Sequence, residues 1–163
     1  MAPLLLVFWL AASPAASPAA LSGEWAVDLS ASSSADLLLK EWGASWVERQ
    51  AASSLPVENH IQLQDGRFDL TIDSAVFTRT ETFPTDGSWQ TGTTKDGAPT
   101  RTRCFYDGAA LVTVTEVTRA GATWTLEARR TVEDGGQTMR QHLTLRTPDG
   151  RTLSADRVFR RSR

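Results

Sequence analysis

The chain has 163 residues, which sets an expectation of a single domain. Hydrophobic residues make up 40% and charged residues 22%, a globular balance that argues against a disordered chain. The 17 Lys and Arg against 19 Asp and Glu leave a net charge of −2, so the basic excess that nucleic-acid binding needs is missing.

The chain opens with an uncharged apolar run, Leu4 to Ala12, too short for the roughly 20 residues that cross a bilayer. Small residues follow, including Ser17-Pro18-Ala19, and cleavage after Ala19 satisfies the small-residue rule of secretory leaders. The positive end of such a leader is supplied only by the terminal amine, so an uncleaved anchor and a disordered extension are the other readings. No Cys follows the run, which excludes a lipoprotein anchor. Residues 1–19 are therefore expected to be a signal peptide and residues 20–163 the barrel domain derived below, with a secreted or periplasmic location.

From Gly23 to Leu29 apolar and polar residues alternate, putting Trp25, Val27 and Leu29 on one face of a strand. Ser30 to Ser34 make a polar break, with Ser34 a candidate N-cap and Asp36 a favourable first-turn charge. Leu37, Leu38 and Glu41-Trp42 fit a short helix that Gly43 interrupts. Ala44 to Ser53 fit a second, carrying Trp46, Val47 and Ala51 at helical spacing and ended by Pro56.

Everything after Pro56 reads as strand: 57–64, 67–74, 76–83, 88–93, 100–106, 109–118, 122–132, 137–146 and 151–160. The breaks are Asp65-Gly66, Asp86-Gly87, Asp96-Gly97, Asp107-Gly108, Ala120-Gly121, Asp134-Gly135 and Asp149-Gly150. Such pairs between alternating runs are strong hairpin signals, and their recurrence about every 10 residues implies an up-and-down meander. The expected fold is all-β, a ten-stranded antiparallel β-barrel with a helix-turn-helix lid between the first two strands. Closure removes exposed edges and leaves interior room for a ligand.

Several segments resemble one family in order and at nearly its spacing, over about residues 23–161. Gly23-Glu24-Trp25 looks like the opening Gly-x-Trp of the intracellular lipid-binding proteins, the fatty-acid-binding and cellular retinoid-binding proteins of the calycin group. Leu39 to Ser53 looks like that family's helix pair, and Phe77-Thr78-Arg79-Thr80-Glu81 like its portal turn. Asp107-Gly108-Ala109-Ala110-Leu111-Val112 resembles its Asp-Gly-x-x-Leu-Val hairpin, and Asp156-Arg157-Val158-Phe159 its closing Arg-x-Tyr. The resemblance implies a carrier of a fatty acid or similar apolar anion, with access gated by Phe77. Phe159 stands where the family has Tyr, so a hydroxyl donor is missing. An export leader is unusual in this mostly cytosolic family, which keeps secreted lipocalin-like domains as an alternative. Against a true lipocalin, there is no helix after the strands and no disulfide pair.

Strand periodicity argues independently for a charged interior. On 122–132 the apolar parity is Trp124, Leu126, Ala128 and Arg130; on 151–160 it is Leu153, Ala155, Arg157 and Phe159. A buried cation without a partner costs several kcal/mol, and a ligand carboxylate offsets it. Either Arg is equally able to snorkel to a mouth or pair with an internal acid, and a bulge flips the parity. Arg103 is a third candidate whose face the sequence leaves open. The expected ligand-binding residues are Arg130, Arg157, Phe159, Phe77, Trp42 and Trp46, with lid packing as the other role for the two Trp. Trp25, Trp89 and Trp124 read as core, and Met139, Leu143 and Leu145 have core spacing.

Cys104 is alone and reads as a small core residue. His60 and His142 are isolated on strands, so no metal site is expected, and no cofactor or catalytic motif is present. Glu and Asp fall on outer faces and in turns. The Arg-rich end, Arg157 to Arg163, reads as a solvated strand end and frayed tail, with transient contact to anionic membranes as a minor role. The chain is expected to be a monomeric, non-enzymatic binder of a hydrophobic small molecule. A barrel filled by its own side chains, serving as an interaction domain, is the main alternative; an enzyme using the cavity is a third. Cavity volume separates the first two. N-terminal sequencing of exported material should find a start near Ala20; a start at Met1 would defeat the leader assignment.

Overall fold

The computed structural model describes residues 17–162. Most of the expected leader, residues 1–16, lies outside the described residues. A 3₁₀ turn over Pro18–Leu21 leads into β1 (Gly23–Asp28), α1 (Asp36–Trp42) and α2 (Trp46–Ser54). The remaining strands are β2 (Val57–Gln64), β3 (Arg67–Ser74), β4 (Thr78–Pro84), β5 (Gln90–Thr93) and β6 (Pro99–Asp107), then β7 (Ala110–Arg119), β8 (Ala122–Glu133), β9 (Thr138–Arg146) and β10 (Thr152–Arg161).

Except for β4 and β5, consecutive strands pair antiparallel, and the tightest connections are two-residue turns. Asp65-Gly66 and Ala120-Gly121 have positive φ at both positions, as the twist of a right-handed hairpin requires, and they close the pairs Gln64↔Arg67 and Arg119↔Ala122. The sheet order is β4-β3-β2-β1-β10-β9-β8-β7-β6-β5, so β1 pairs with β10 and the barrel is closed everywhere except between β4 and β5. That seam is crossed by the bridge Asp86↔Phe105 and by the Gly87 amide donating to the Cys104 carbonyl at 2.9 Å.

The local differences from expectation have local causes. β4 begins at Thr78 rather than at 76, because Ser74 Oγ accepts from the Val76 and Phe77 amides and bends the chain into a turn. The first helix is capped at Ala35, not Ser34; Ser34 Oγ accepts from Asp36 N, one position early. The second helix starts at Trp46, where Ser45 and Glu48 form a reciprocal capping box. Gly43 ends α1 at φ 99°, with its amide donating to Lys40 O and the Ala44 amide to Leu39 O. Arg119 Nη1 from the end of β7 donates to the Trp42 carbonyl at 3.1 Å, capping the same helix end.

The interior divides into two apolar clusters. At the closed end, Leu21, Trp25, Ile61, Phe68 and Met139 belong to one that also buries Cys104 and Phe159. Under the lid, Leu38, Leu145 and Ala155 form the second, with Leu39, Trp42 and Trp124 packed against it. The Arg-rich end of the chain is structural at Arg161, contrary to the frayed tail expected. Its guanidinium lies 4.2 Å from the Trp25 ring centroid and donates to the carbonyls of Ala20, Ser22 and Gly136. This ties the 3₁₀ turn, with its fully buried Leu21, across the barrel end.

A Cβ at Gly43 would sit 3.0 Å from Arg119 Nη2, in a backbone conformation that L side chains rarely adopt. Gly43→Ala should therefore lower stability by about 2 kcal/mol, combining left-handed strain with a displaced cap. Urea denaturation measures it, and an unchanged midpoint would show that the α1 end is not coupled to global stability.

Candidate ligand-binding interior

The ladders β8–β9 and β9–β10 run without a bulge, so the parity read from sequence holds. Trp124, Leu126, Ala128 and Arg130 face inward from β8, and Leu153, Ala155, Arg157 and Phe159 from β10. Between them β9 contributes Met139, Gln141, Leu143 and Leu145. The register pairs Arg157 with Gln141 and Gln141 with Arg130. One polar row thus crosses the barrel between the two apolar clusters.

Arg130 is 4% exposed. Its Nη1 donates to Thr113 Oγ1 at 3.1 Å, its guanidinium lies 5.2 Å from the Phe68 ring centroid, and its Nε meets no acceptor among the described residues. Burial lowers its pKa, opposed chiefly by the charge of Glu81; a guanidinium stays protonated under these conditions. Glu81 corrects the expectation that every carboxylate lies outside. It pairs in register with the buried Leu70 and so faces inward, where it forms an ion pair with Arg79. Cys104 is fully buried beside this row, and burial pushes its thiol up to about 11, as suits a core residue rather than a nucleophile.

Arg157 turns toward the lid. It is 8% exposed, donates from Nη1 to the Ala52 carbonyl of α2 at 2.7 Å, and has its pKa lowered by burial. Phe159 is buried in the closed-end cluster, one inward position beyond Arg157. Trp42 is half-buried and packs under α1 beside Trp124. Trp46 is 66% exposed, so the structure does not bring it to the interior: the first turn of α2 stands clear of the barrel, and Ala51 is its buried residue. Phe77 is half-buried in the turn before β4.

Arg103 is resolved onto the outer face, because Thr102 and Cys104 take the inward positions of β6. There Arg101 and Arg103 flank the Trp89 ring at 4.4 and 4.9 Å, over Val112 and Val114. Trp89 is therefore not a core residue, unlike Trp25 and Trp124. Gln141 and Thr113 were missed by the sequence reading. Gln141 was findable, since it shares the parity of Met139, Leu143 and Leu145; Thr113 needed the register to Arg130.

Not every inward apolar side chain is fully covered. Val27, Ile72, Phe83, Leu126, Leu143 and Leu153 face inward yet are only partly buried. A cavity of about 220 Å³ lies beneath the helices, and a more open cleft of about 430 Å³ borders β1, Ser54 and Pro56. Among the described residues, no three His, Cys, Asp or Glu converge as metal ligands.

Known structures share this architecture. The REP1-NXSQ fatty acid transporter superposes with a TM-score of 0.67 at 22% identity, covering 88% of this chain and 96% of its own. The Schistosoma mansoni fatty acid binding protein in complex with arachidonic acid gives 0.67 at 19% identity, covering 91% and 100%. Human cRBP IV gives 0.64 at 17%, covering 87% and 98%. No protein-family model and no curated protein matches the sequence. At these identities the similarity establishes the fold, a nearly closed ten-stranded barrel with two helices between its first strands.

Thr113→Val keeps the shape of the side chain but removes the acceptor from Arg130. Stability of the ligand-free protein should fall by about 1.5–3 kcal/mol, measured by urea denaturation. Unchanged stability would show that water supplies the acceptor instead.

Proposed function

We propose that the barrel binds and carries a fatty acid or similar amphiphile, with its acid at Arg130 and its chain along the apolar interior. The observation that carries this reading is Arg130 itself, a buried guanidinium with one neutral side-chain acceptor and an unpaired Nε. Arg130 and Arg157 are both buried, and the inward carboxylate Glu81 is already engaged by Arg79. A ligand carboxylate at Arg130 offsets the charge of that residue, with Gln141 as its cross-strand neighbour on β9. The solved fatty-acid transporter and the arachidonate-bound protein support the class of ligand. The partly buried inward side chains argue against a barrel filled by itself. The same reading makes the chain a monomeric, non-enzymatic carrier, and it includes the proposal that residues 1–19 direct its export.

Dissociation constants for one fatty acid and its matching alcohol decide the matter. Arg130→Leu should weaken acid binding by about tenfold to a hundredfold and leave the alcohol unchanged or tighter. Arg157→Leu, the stronger candidate on sequence grounds, should cost the acid less, because its guanidinium is turned to the lid. Ligand should change Trp42 fluorescence and leave Trp46 unaffected, tested with single Trp→Phe variants. Equal losses for acid and alcohol in Arg130→Leu would reduce that residue to a support of the fold.

A further inference from the structure

Arg157 is nine-tenths buried, yet among the described residues its hydrogen-bond partner is a neutral carbonyl, that of Ala52. It lines the 220 Å³ cavity under the helices together with Arg49 of α2, Asp36 and Leu39 of α1, and Ser34 of the preceding loop. The volume equals roughly seven waters, room for an oxyanion but not for a long acyl chain. Arg49 shares its charge with Asp36, Nε to Oδ1 at 3.3 Å. Among the described residues no carboxylate lies in ion-pair range of Arg157, so the described lining carries one unbalanced positive charge. Ser34 Oγ accepts from the Asp36 amide, which leaves its proton free to donate. Ser32 and Ser33, by contrast, are spent on the backbone of β1 and β10.

We propose that this lid-side cavity, into which Arg157 turns from its end of the polar row, is a second binding site, distinct from the one at Arg130, for a phosphate-like oxyanion held by Arg157, Arg49 and the Ser34 hydroxyl. The anion would join both helices to β10, because its ligands come from α2, from the loop before α1 and from the barrel wall. Its source is either free phosphate or the phosphate head of an amphiphile whose chain lies deeper; the chemistry at the cavity is the same.

The test is calorimetric titration of the full mature chain with inorganic phosphate. Saturable binding at one site per chain is expected. Arg49→Gln should weaken it about tenfold and Ser34→Ala by a smaller factor, while Arg130→Leu leaves it unchanged. Circular dichroism confirms that the variants are folded, and Arg49→Gln should keep wild-type affinity for a fatty acid. Displacement of phosphate by a lysophosphatidate identifies a head-group site, and simultaneous binding of both identifies a free-anion site; either supports the cavity assignment. Absence of saturable binding, or equal affinity in Arg49→Gln, overturns it. A loss in Arg130→Leu matching that in Arg49→Gln also overturns it, since phosphate would then be reading the barrel interior.

Discussion

A strand that closes into a barrel sends every second side chain inside, whatever its polarity, and Arg130 is where that constraint is felt most. Removing a guanidinium from water costs several kcal/mol even after relaxation. Thr113 offers one acceptor, the Phe68 ring face offers a weak one, and Glu81 acts through its charge. None of these is a hydrogen-bonded carboxylate. The interior is arranged around this deficit: an apolar cluster on either side, and one polar row, Arg157–Gln141–Arg130, between them. On the proposed function, that layering would give an amphiphile a direction, with its charge at the row and its chain among the apolar side chains.

The lid is attached unevenly, and the cause is helix length. Helices of seven and nine residues are too short to be stable alone and depend on tertiary contacts. α1 buries Leu38 and packs Leu39 and Trp42 on the barrel wall, with Arg119 on its last carbonyl and Arg151 reaching Glu41 at 3.3 Å. α2 buries Ala51, leaves Trp46 and Val47 exposed, and relies on polar ties: Arg157 to Ala52, Arg49 to Asp36. Polar ties exchange with water at little net cost, whereas apolar burial does not. α2 therefore has less apolar burial holding it than α1, and its polar ties converge on the lid-side cavity.

The outer wall shows how parity misleads when read one strand at a time. Phe105, Val112 and Val114 look like core residues, yet they face outward. They are covered by Trp89, itself clasped between Arg101 and Arg103 through ring-face contacts. The segment before β5 runs along the edge of β6, with Asp86 bridged to Phe105, and Trp89 beside it packs on the outer face. Glu81, on the other side of the seam, is inward, since its pairing with Leu70 fixes its face.

Local chemistry in the sequence determined the strands, turns and helix pair, because hairpin turns and period-two alternation are written within a few residues of where they act. It determined the faces of β8 and β10 too, and with them the inward Arg130 and Arg157, since an unbroken ladder preserves parity. Gln141 was within reach of the same rule. Tertiary structure alone decided the rest. The inward Glu81 and the outward Arg103 follow from which strand each is paired with. The turn of Arg157 toward Ala52 follows from where α2 lies over the barrel. The role of Arg161 depends on a 3₁₀ turn some 140 residues earlier folding across the barrel end. Each of these rests on contacts between segments far apart in the chain, and no local pattern encodes how such segments meet.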